Sequence, residues 1–336
     1  MTVGAREYDE SDVRVRPGRR GTRPRTKRRP EHADAAEAMV ITVDRGRWTC
    51  APGGDASRPP VTAMRARELG RTPIVVGDRV GLVGDLSGAP DTIARIVRVE
   101  DRTTALRRTA DDTDPFERVV VANAELLVVV TAVADPEPRT GFVDRCLVAP
   151  TPGSRAVLCL TKSDLADPEP FAANYRELDI PVLTTRRDRP PEELAGLLAG
   201  RVSALVGHSG VGKSTLVNAL VPDAERAVGT VSAVGKGRHT TVAALALPLP
   251  EDRGGGWVVD TPGVRSFGLA HVTPDDVPAA FDDLASAIES CPRGCGHLGP
   301  PADPECALDE LVEKGQLRPA RLAALRRVLV ALRAPW

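Results

Sequence analysis

Residues 201–220 read RVSALVGHSGVGKSTLVNAL. An aliphatic run, VSALV, ends at Gly207. From Lys213 onward, Leu216, Val217 and Leu220 recur at helical spacing. Between them Gly207, Gly212, Lys213 and Ser214 fill every fixed position of G-x-x-x-x-G-K-[ST]. A strand, a glycine-rich turn and a helix in this order need a sheet that buries the strand and a layer that receives the helix. The same loop is built for an anion. Its glycines let backbone N–H groups turn inward, and the helix start directs its positive end to the same point. Lys213 then places a cation on the β and γ groups of a nucleotide, and Ser214 places a hydroxyl on Mg²⁺. The cradle comprises Gly207, His208, Ser209, Gly210, Val211, Gly212, Lys213, Ser214 and Thr215.

Three further stretches complete a nucleotide site. GWVVDTPG (256–263) is an aliphatic strand ending at Asp260, whose carboxylate can reach the Mg²⁺ shell through water. Gly263 can offer its N–H to a γ-phosphate. Between this stretch and the loop lies GTVSAVGKGRHTT (229–241), polar and glycine-rich, with Thr240 and Thr241 both candidates for a switch hydroxyl on Mg²⁺. Lys236, Arg238 and His239 can stabilise phosphate charge. The third stretch, TKSD (161–164), comes after the strand-like run AVLCL. A carboxylate at Asp164 accepts the paired N–H groups of guanine, a pattern adenine does not present. Lys162 lies along the base, with Thr161 and Ser163 beside it. Thr161 stands where Asn is usual, keeping a hydroxyl and losing an amide.

The order is unusual. TKSD precedes the phosphate loop by about 45 residues, whereas a base-recognition motif ordinarily comes after it. Each stretch meets its own test, so the order describes a circular permutation: base motif, phosphate loop, Thr switch, DTPG. Surface termini that lie close together make such a rearrangement tolerable. DTPG then sits near the exit of its domain, less than 30 residues from a Cys/His segment, which wires γ-phosphate sensing to the C-terminal part of the chain. Val264 occupies the position where many GTPases carry a water-orienting Gln. Intrinsic hydrolysis is therefore expected to be slow, with His239, and then Arg238, as candidates for the missing group.

At 336 residues the chain has room for two or three domains at ~150 residues each. Aromatics make up only 3%, so the cores must be aliphatic, as in a parallel α/β sheet. Residues 1–36 read as a disordered basic tail: positions 11–30 hold nine Lys/Arg against one Asp, a composition that stays solvated and attracts RNA phosphates. Residues 37–102 show short, Gly/Pro-punctuated strands, as in a small antiparallel barrel or another small β fold. Residues 103–275 alternate strands and helices, which implies a mostly parallel sheet covered on both faces. Residues 276–336 are helical. Their last helix carries a stripe of Leu322, Leu325, Val328, Leu329 and Leu332, with Arg321, Arg326, Arg327 and Arg333 off it as a solvated basic face or an RNA contact. No secretory signal is read at the N-terminus, and no apolar run approaches the ~20 residues of a membrane span. The expectation is a cytoplasmic monomer with neither membrane nor DNA as partner.

Six cysteines divide into two groups. Cys50, Cys146 and Cys159 sit among apolar residues as small buried hydrophobes. Cys291, Cys295, His297 and Cys306 fall within 16 residues, a donor set suited to one tetrahedral structural Zn²⁺ with no open position. Glycine and proline between them build little core. A structural zinc supplies about 10–16 kcal/mol of apparent binding energy in small peptides, enough to take a core's place.

The stretches VVGDRVGLV, RVVVANAELLVVV, VDRCLVA, TKSDL, GHSGVGKSTLVNAL, GKGRHTT and VVDTPGVRSFGL, closed by the Cys/His cluster, together resemble the bacterial ribosome-small-subunit-dependent GTPase A family. The resemblance runs from near Met39 to Arg333 and is most specific in GKGRHTT and DTPGVRSFGL. It implies a multi-domain chain: an OB-fold RNA-binding barrel (37–102), a circularly permuted P-loop GTPase domain (103–275) and a zinc-binding helical domain (276–336). It implies GTP/GDP, Mg²⁺ and one Zn²⁺ as ligands. It also implies the small (30S) ribosomal subunit and its 16S rRNA as partners, with hydrolysis stimulated by the subunit late in its maturation and departure on hydrolysis. Ala124 stands where members often carry Asp, and PVLTTRRD (181–188) lacks a clear Ser-Ala pair. A binding factor with a vestigial nucleotide sensor is the competing class, against which intact Lys213, Ser214 and Asp260 argue. A kinase or other ATPase is a third, against which Asp164 argues.

Overall fold

The computed structural model describes residues 32–109, 117–148, 154–222, 224, 244–261, 275–279 and 281–333. Of the sequence expectations, the basic tail through residue 31, the loop bearing Lys236, Arg238, His239, Thr240 and Thr241, and the Gly263–Val264 step lie outside the described residues.

Five strands form the first body: β1 Ala36–Asp44, β2 Arg47–Pro52, β3 Val61–Arg65, β4 Arg79–Val83 and β5 Ala94–Val99. They hydrogen-bond in the order β1-β2-β3-β5-β4, and β4 returns to β1, so this sheet closes on itself as a barrel. Only β3–β5 is parallel; the other pairs are antiparallel. Alternation along the strands sends Val40, Cys50, Val61, Ala63, Val80, Leu82, Ala94 and Ile96 into one aliphatic core. The pattern of the sequence does not set β3 apart as a strand of its own.

A hairpin of β6 Ala105–Thr109 and β7 Glu117–Ala122 leads into the α/β body. Its strands are β8 Leu126–Ala132, β9 Arg155–Thr161, β10 Val182–Thr184, β11 Val202–Val206, β12 Leu245–Pro248 and β13 Trp257–Asp260. They lie in the order β10-β9-β8-β11-β13-β12, parallel except for β12. All seven residues of β8 are buried, the signature of a strand covered on both faces. Among the described residues, α1 to α4 provide the cover. On one face α1 Thr140–Val148 and α2 Glu169–Arg176 bring Phe142, Val143, Cys146 and Tyr175 against Leu127, Val129, Leu158 and Val206. On the other, α3 Glu192–Leu198 and α4 Lys213–Leu220 bring Leu194, Leu198, Leu216, Val217 and Leu220 against Val128, Val130, Leu205 and Val258.

Barrel and α/β sheet are continuous. Thr42 of β1 pairs with Leu245 of β12, making one eleven-stranded sheet. Met39, Ile41 and Ala51 of the barrel share a core with β8 and α1. The indole Nε1 of Trp257 donates to the Gly54 carbonyl at 2.9 Å. Cys50, Cys146 and Cys159 are buried, as their apolar neighbours in the sequence implied.

The C-terminal helices are α5 Asp276–Ala279, α6 Asp282–Ile288, α7 Ala307–Glu313 and α8 Pro319–Arg333. Leu322, Leu325, Val328 and Leu329 of α8 join Val277, Leu284 and Leu308 in a core that also takes Leu178 from the α/β body. Here the basic-face expectation is corrected for Arg321, Arg326 and Arg327, while Arg333 stays exposed. Arg321 is buried, donates to the Glu177 carbonyl at 2.6 Å and pairs with Asp179 at 2.7 Å. Arg326 holds the His297 carbonyl (3.1 Å) and Asp309 (2.6 Å), Arg327 reaches Asp144 (3.4 Å), and Arg333 donates to the Gly296 carbonyl (3.0 Å). These guanidiniums bind the helix to its own protein, because planar forks match carbonyl and carboxylate oxygens. Among the described residues no helix is long and apolar enough to cross a membrane.

Candidate functional site

The phosphate loop leaves the C-terminal end of β11, a strand flanked by β8, which precedes it in the chain, and β13, which comes after it. Ligands of open α/β sheets bind at this end. Gly210 and Gly212 have φ of 82° and 89°, and Gly212 is the N-cap of α4. Its carbonyl takes the first helical bond, from Leu216 N–H at 2.9 Å. A Cβ on Gly207 would meet the Val130 carbonyl oxygen at 2.4 Å, so the loop can leave the sheet only where there is no side chain. Ser214 and Thr215 are exposed at the helix start, open to phosphate and metal. The His208 ring lies against Phe142 of α1, centroids 4.1 Å apart.

Lys213 crosses to the end of β13. Its Nζ stands 3.1 Å from Asp260 Oδ1 and donates to the Thr261 carbonyl at 2.8 Å. The Thr261 hydroxyl donates to the Leu205 carbonyl at 2.6 Å, which pins the DT step of the DTPG stretch beside β11. A cation and a carboxylate, 47 positions apart in the sequence, thus share one edge of the loop.

TKSD closes the other side. Thr161, at the end of β9, is buried, and its hydroxyl donates to the Val211 carbonyl inside the phosphate loop. Lys162 has φ of 57°, and its Nζ donates to the Asp135 carbonyl. Ser163 donates from N–H (3.3 Å) and from Oγ (3.2 Å) to the Thr185 carbonyl. Thr185 lies in the PVLTTRRD stretch (181–188), directly after β10. Asp164 is left exposed on the loop, free to meet a base edge. Asp135 and Thr185 are not singled out by the sequence, because no local motif marks a carbonyl. The loop glycines, Lys213, Asp260 and TKSD form one cradle that suits a guanine nucleotide with Mg²⁺.

The second cluster lies between α6 and α7. The ligand atoms of Cys291, Cys295, His297 and Cys306 all lie within 4.8 Å of one another. Cys291 Sγ is 3.5 Å from His297 Nδ1, and the His297 N–H donates to Cys295 Sγ at 3.4 Å. His297 Nε2 stands 2.9 Å from Asp275, the carboxylate partner that fixes a metal-binding imidazole. Burial pushes the Cys291 thiol up and the Cys295 thiol up to about 12. Deprotonation there calls for a cation, and three thiolates with one imidazole fit Zn²⁺. Asp303 accepts the N–H groups of Gly296 (2.8 Å) and Leu298 (2.9 Å), bonds that hold its carboxyl below the usual range and brace the turn around His297. Asp275 and Asp303 also carry no mark in the sequence; both support the donors without being donors.

The comparisons agree with this geometry. A family model described as RsgA GTPase matches residues 99–270. The Pseudomonas fluorescens (strain SBW25) protein named "Small ribosomal subunit biogenesis GTPase RsgA" is 37% identical over 270 residues, covering 77% of this chain and 75% of that one. A crystal structure described as "YloQ, a circularly permuted GTPase" superposes with a TM-score of 0.63 at 23% identity, covering 91% of this chain and 98% of that one. That of YjeQ from Thermotoga maritima gives 0.61 at 26% identity, covering 89% and 99%. With a permuted nucleotide cradle in place and the family match spanning just over half of its length, the chain belongs to the RsgA GTPase family and hydrolyses GTP.

Proposed function

We propose that this GTPase is a timing factor in the late maturation of the small (30S) ribosomal subunit. GTP holds its switch segments ordered and the protein docked on 16S rRNA, the subunit stimulates hydrolysis, and hydrolysis releases the protein. The observation that carries this reading is the seating of a Cys/His helical body, through α8, directly on the α/β body that holds the nucleotide cradle. A nucleotide-dependent change in one body then has a solid route to the other. The relatives' name supplies the subunit as partner.

Within this reading residues 37–102 are an OB-fold RNA-binding barrel, 103–275 the permuted GTPase domain and 276–336 a zinc-binding domain, with the basic tail of residues 1–36 adding phosphate attraction. Lys213 binds the β and γ groups, Ser214 and one of Thr240 and Thr241 bind Mg²⁺, Asp260 holds its water shell and Gly263 senses the γ-phosphate. His239 supplies the water-orienting group that Val264 cannot. Cys291, Cys295, His297 and Cys306 hold one Zn²⁺. The protein acts as a cytoplasmic monomer.

The test is GTP hydrolysis by the purified protein with and without small ribosomal subunits, with Lys213→Ala as control. A slow basal rate raised many-fold by the subunit and lost in the control supports the proposal. A rate indifferent to the subunit means the partner is wrong.

A further inference from the structure

Helix α1 carries two contacts within three residues. Phe142, at its first turn, packs on the ring of His208 in the phosphate loop. Asp144, whose side chain is only 1% exposed, faces Arg327 of α8, with Nε 3.4 Å from Oδ2 and an Nη 3.5 Å from Oδ1. Burial pushes the Asp144 carboxyl up and Arg327 draws it back. Arg327 also lies 5.0 Å over the Tyr175 ring and donates to the Asn174 carbonyl at 3.3 Å. Its neighbour Arg326 grips the His297 carbonyl, inside the Cys/His cluster. Adjacent arginines of one helix therefore hold the cluster on one side and α1 on the other.

We propose that α1 transmits the position of α8 to the phosphate loop, with Arg327 and Asp144 as positioning residues that act on His208 through Phe142. A helix is stiff along its axis, so a shift at Asp144 reaches Phe142 half a turn away with little loss. Val143, Cys146 and Leu147 seat the same helix on β8 and β9, so it moves as a body over the sheet. The route runs through helix packing and is distinct from the covalent path that leads from DTPG into the C-terminal helices. Linkage makes it reciprocal: a displacement of α8 alters nucleotide hold, and nucleotide alters the seating of α8.

The inference rests on nucleotide binding at the phosphate loop, which wild-type binding of fluorescently labelled GDP reports by itself. Release of that GDP from the full-length chain is measured for Phe142→Leu, Arg327→Ala and the double variant, with thermal melting alongside. Lys314→Ala, which breaks an exposed pair with Glu310 of α7 at 2.6 Å, is the control expected to keep the wild-type rate. Each single variant is expected to change the release rate about fivefold or more, and the double variant to add little, because both interrupt one route. Wild-type release from Arg327→Ala with a lowered melting temperature would show a purely structural contact and overturn the proposal. Effects that multiply in the double variant would overturn it too. If Arg327→Ala does not fold, Arg327→Lys replaces it with the same readings, since it keeps the charge and loses the planar fork.

Discussion

The hydroxyl of Thr161 donates to the backbone carbonyl of Val211 at 2.5 Å, joining two motifs that stand 50 positions apart. The bond ties the TKSD stretch to the phosphate loop. An Asn would make such a link with its amide; Thr makes it with a single proton. The hydroxyl also lies 3.3 Å from the Thr131 carbonyl, but one proton serves one acceptor at a time.

Thr161→Val keeps the shape and removes that proton. A buried carbonyl left without its donor costs about 1–3 kcal/mol. Expressed in binding, this is a rise of about tenfold in the Kd for GDP, with a lower melting temperature. Titration with labelled GDP checks it; unchanged affinity means that the phosphate loop holds its place without the base loop.

Gly207→Ala forces a Cβ to within 2.4 Å of the Val130 carbonyl oxygen. Backbone cannot yield as a flexible side chain does, so the loop or β8 must shift. The expected result is a loss of about 1–3 kcal/mol in urea unfolding and failure to retain GDP on gel filtration. Wild-type retention would mean that the loop leaves β11 by another path.

Arg326→Ala removes the guanidinium from both the His297 carbonyl and Asp309. The turn carrying Cys295 and His297 then loses its brace. Zinc content by atomic absorption is expected to fall below one per chain after mild chelation that spares the wild type. Equal retention would show that the four donors need no support from α8.

Alkaline pH should weaken the fold through its buried thiols. Burial pushes Cys50 and Cys159 up to about 12, whereas unfolded thiols ionise near 8.5. Above that value the unfolded chain has released protons the folded chain still binds, so stability falls as pH rises toward 12. The slope is about 1.4 kcal/mol per thiol per pH unit. Melting temperatures from pH 8 to 11 for the wild type and for Cys50→Ala/Cys159→Ala test this; parallel curves would rule the thiols out.

Much of the site is readable from residue order. The phosphate loop declares itself because close approach to an anion needs glycine, lysine and hydroxyl at set spacing, all within eight residues. The donors Cys291, Cys295, His297 and Cys306 are equally local. The aliphatic runs of β8, β9, β11 and β13 reflect burial on both faces. The groups that support the site are not readable in this way. Asp275 stands 16 positions before the first cysteine, and nothing near it marks it as the partner of His297. The arginines of α8 read as a basic face, since a helical wheel shows which side is polar and not what lies opposite.

Residue order thus carries the chemistry: a P-loop with a TKSD stretch, a permuted order of motifs and a Cys/His cluster. Each of these depends on residues close together in the chain, where spacing alone dictates geometry. Folding in three dimensions adds the extension of the α/β sheet by the barrel through Thr42 and Leu245, and the bridge from Thr161 to Val211. It also sets Arg326 and Arg327 between the cluster and α1. Those contacts join backbone carbonyls and long side chains across tens to hundreds of residues, and such partners carry no local signature because almost any residue can offer a carbonyl.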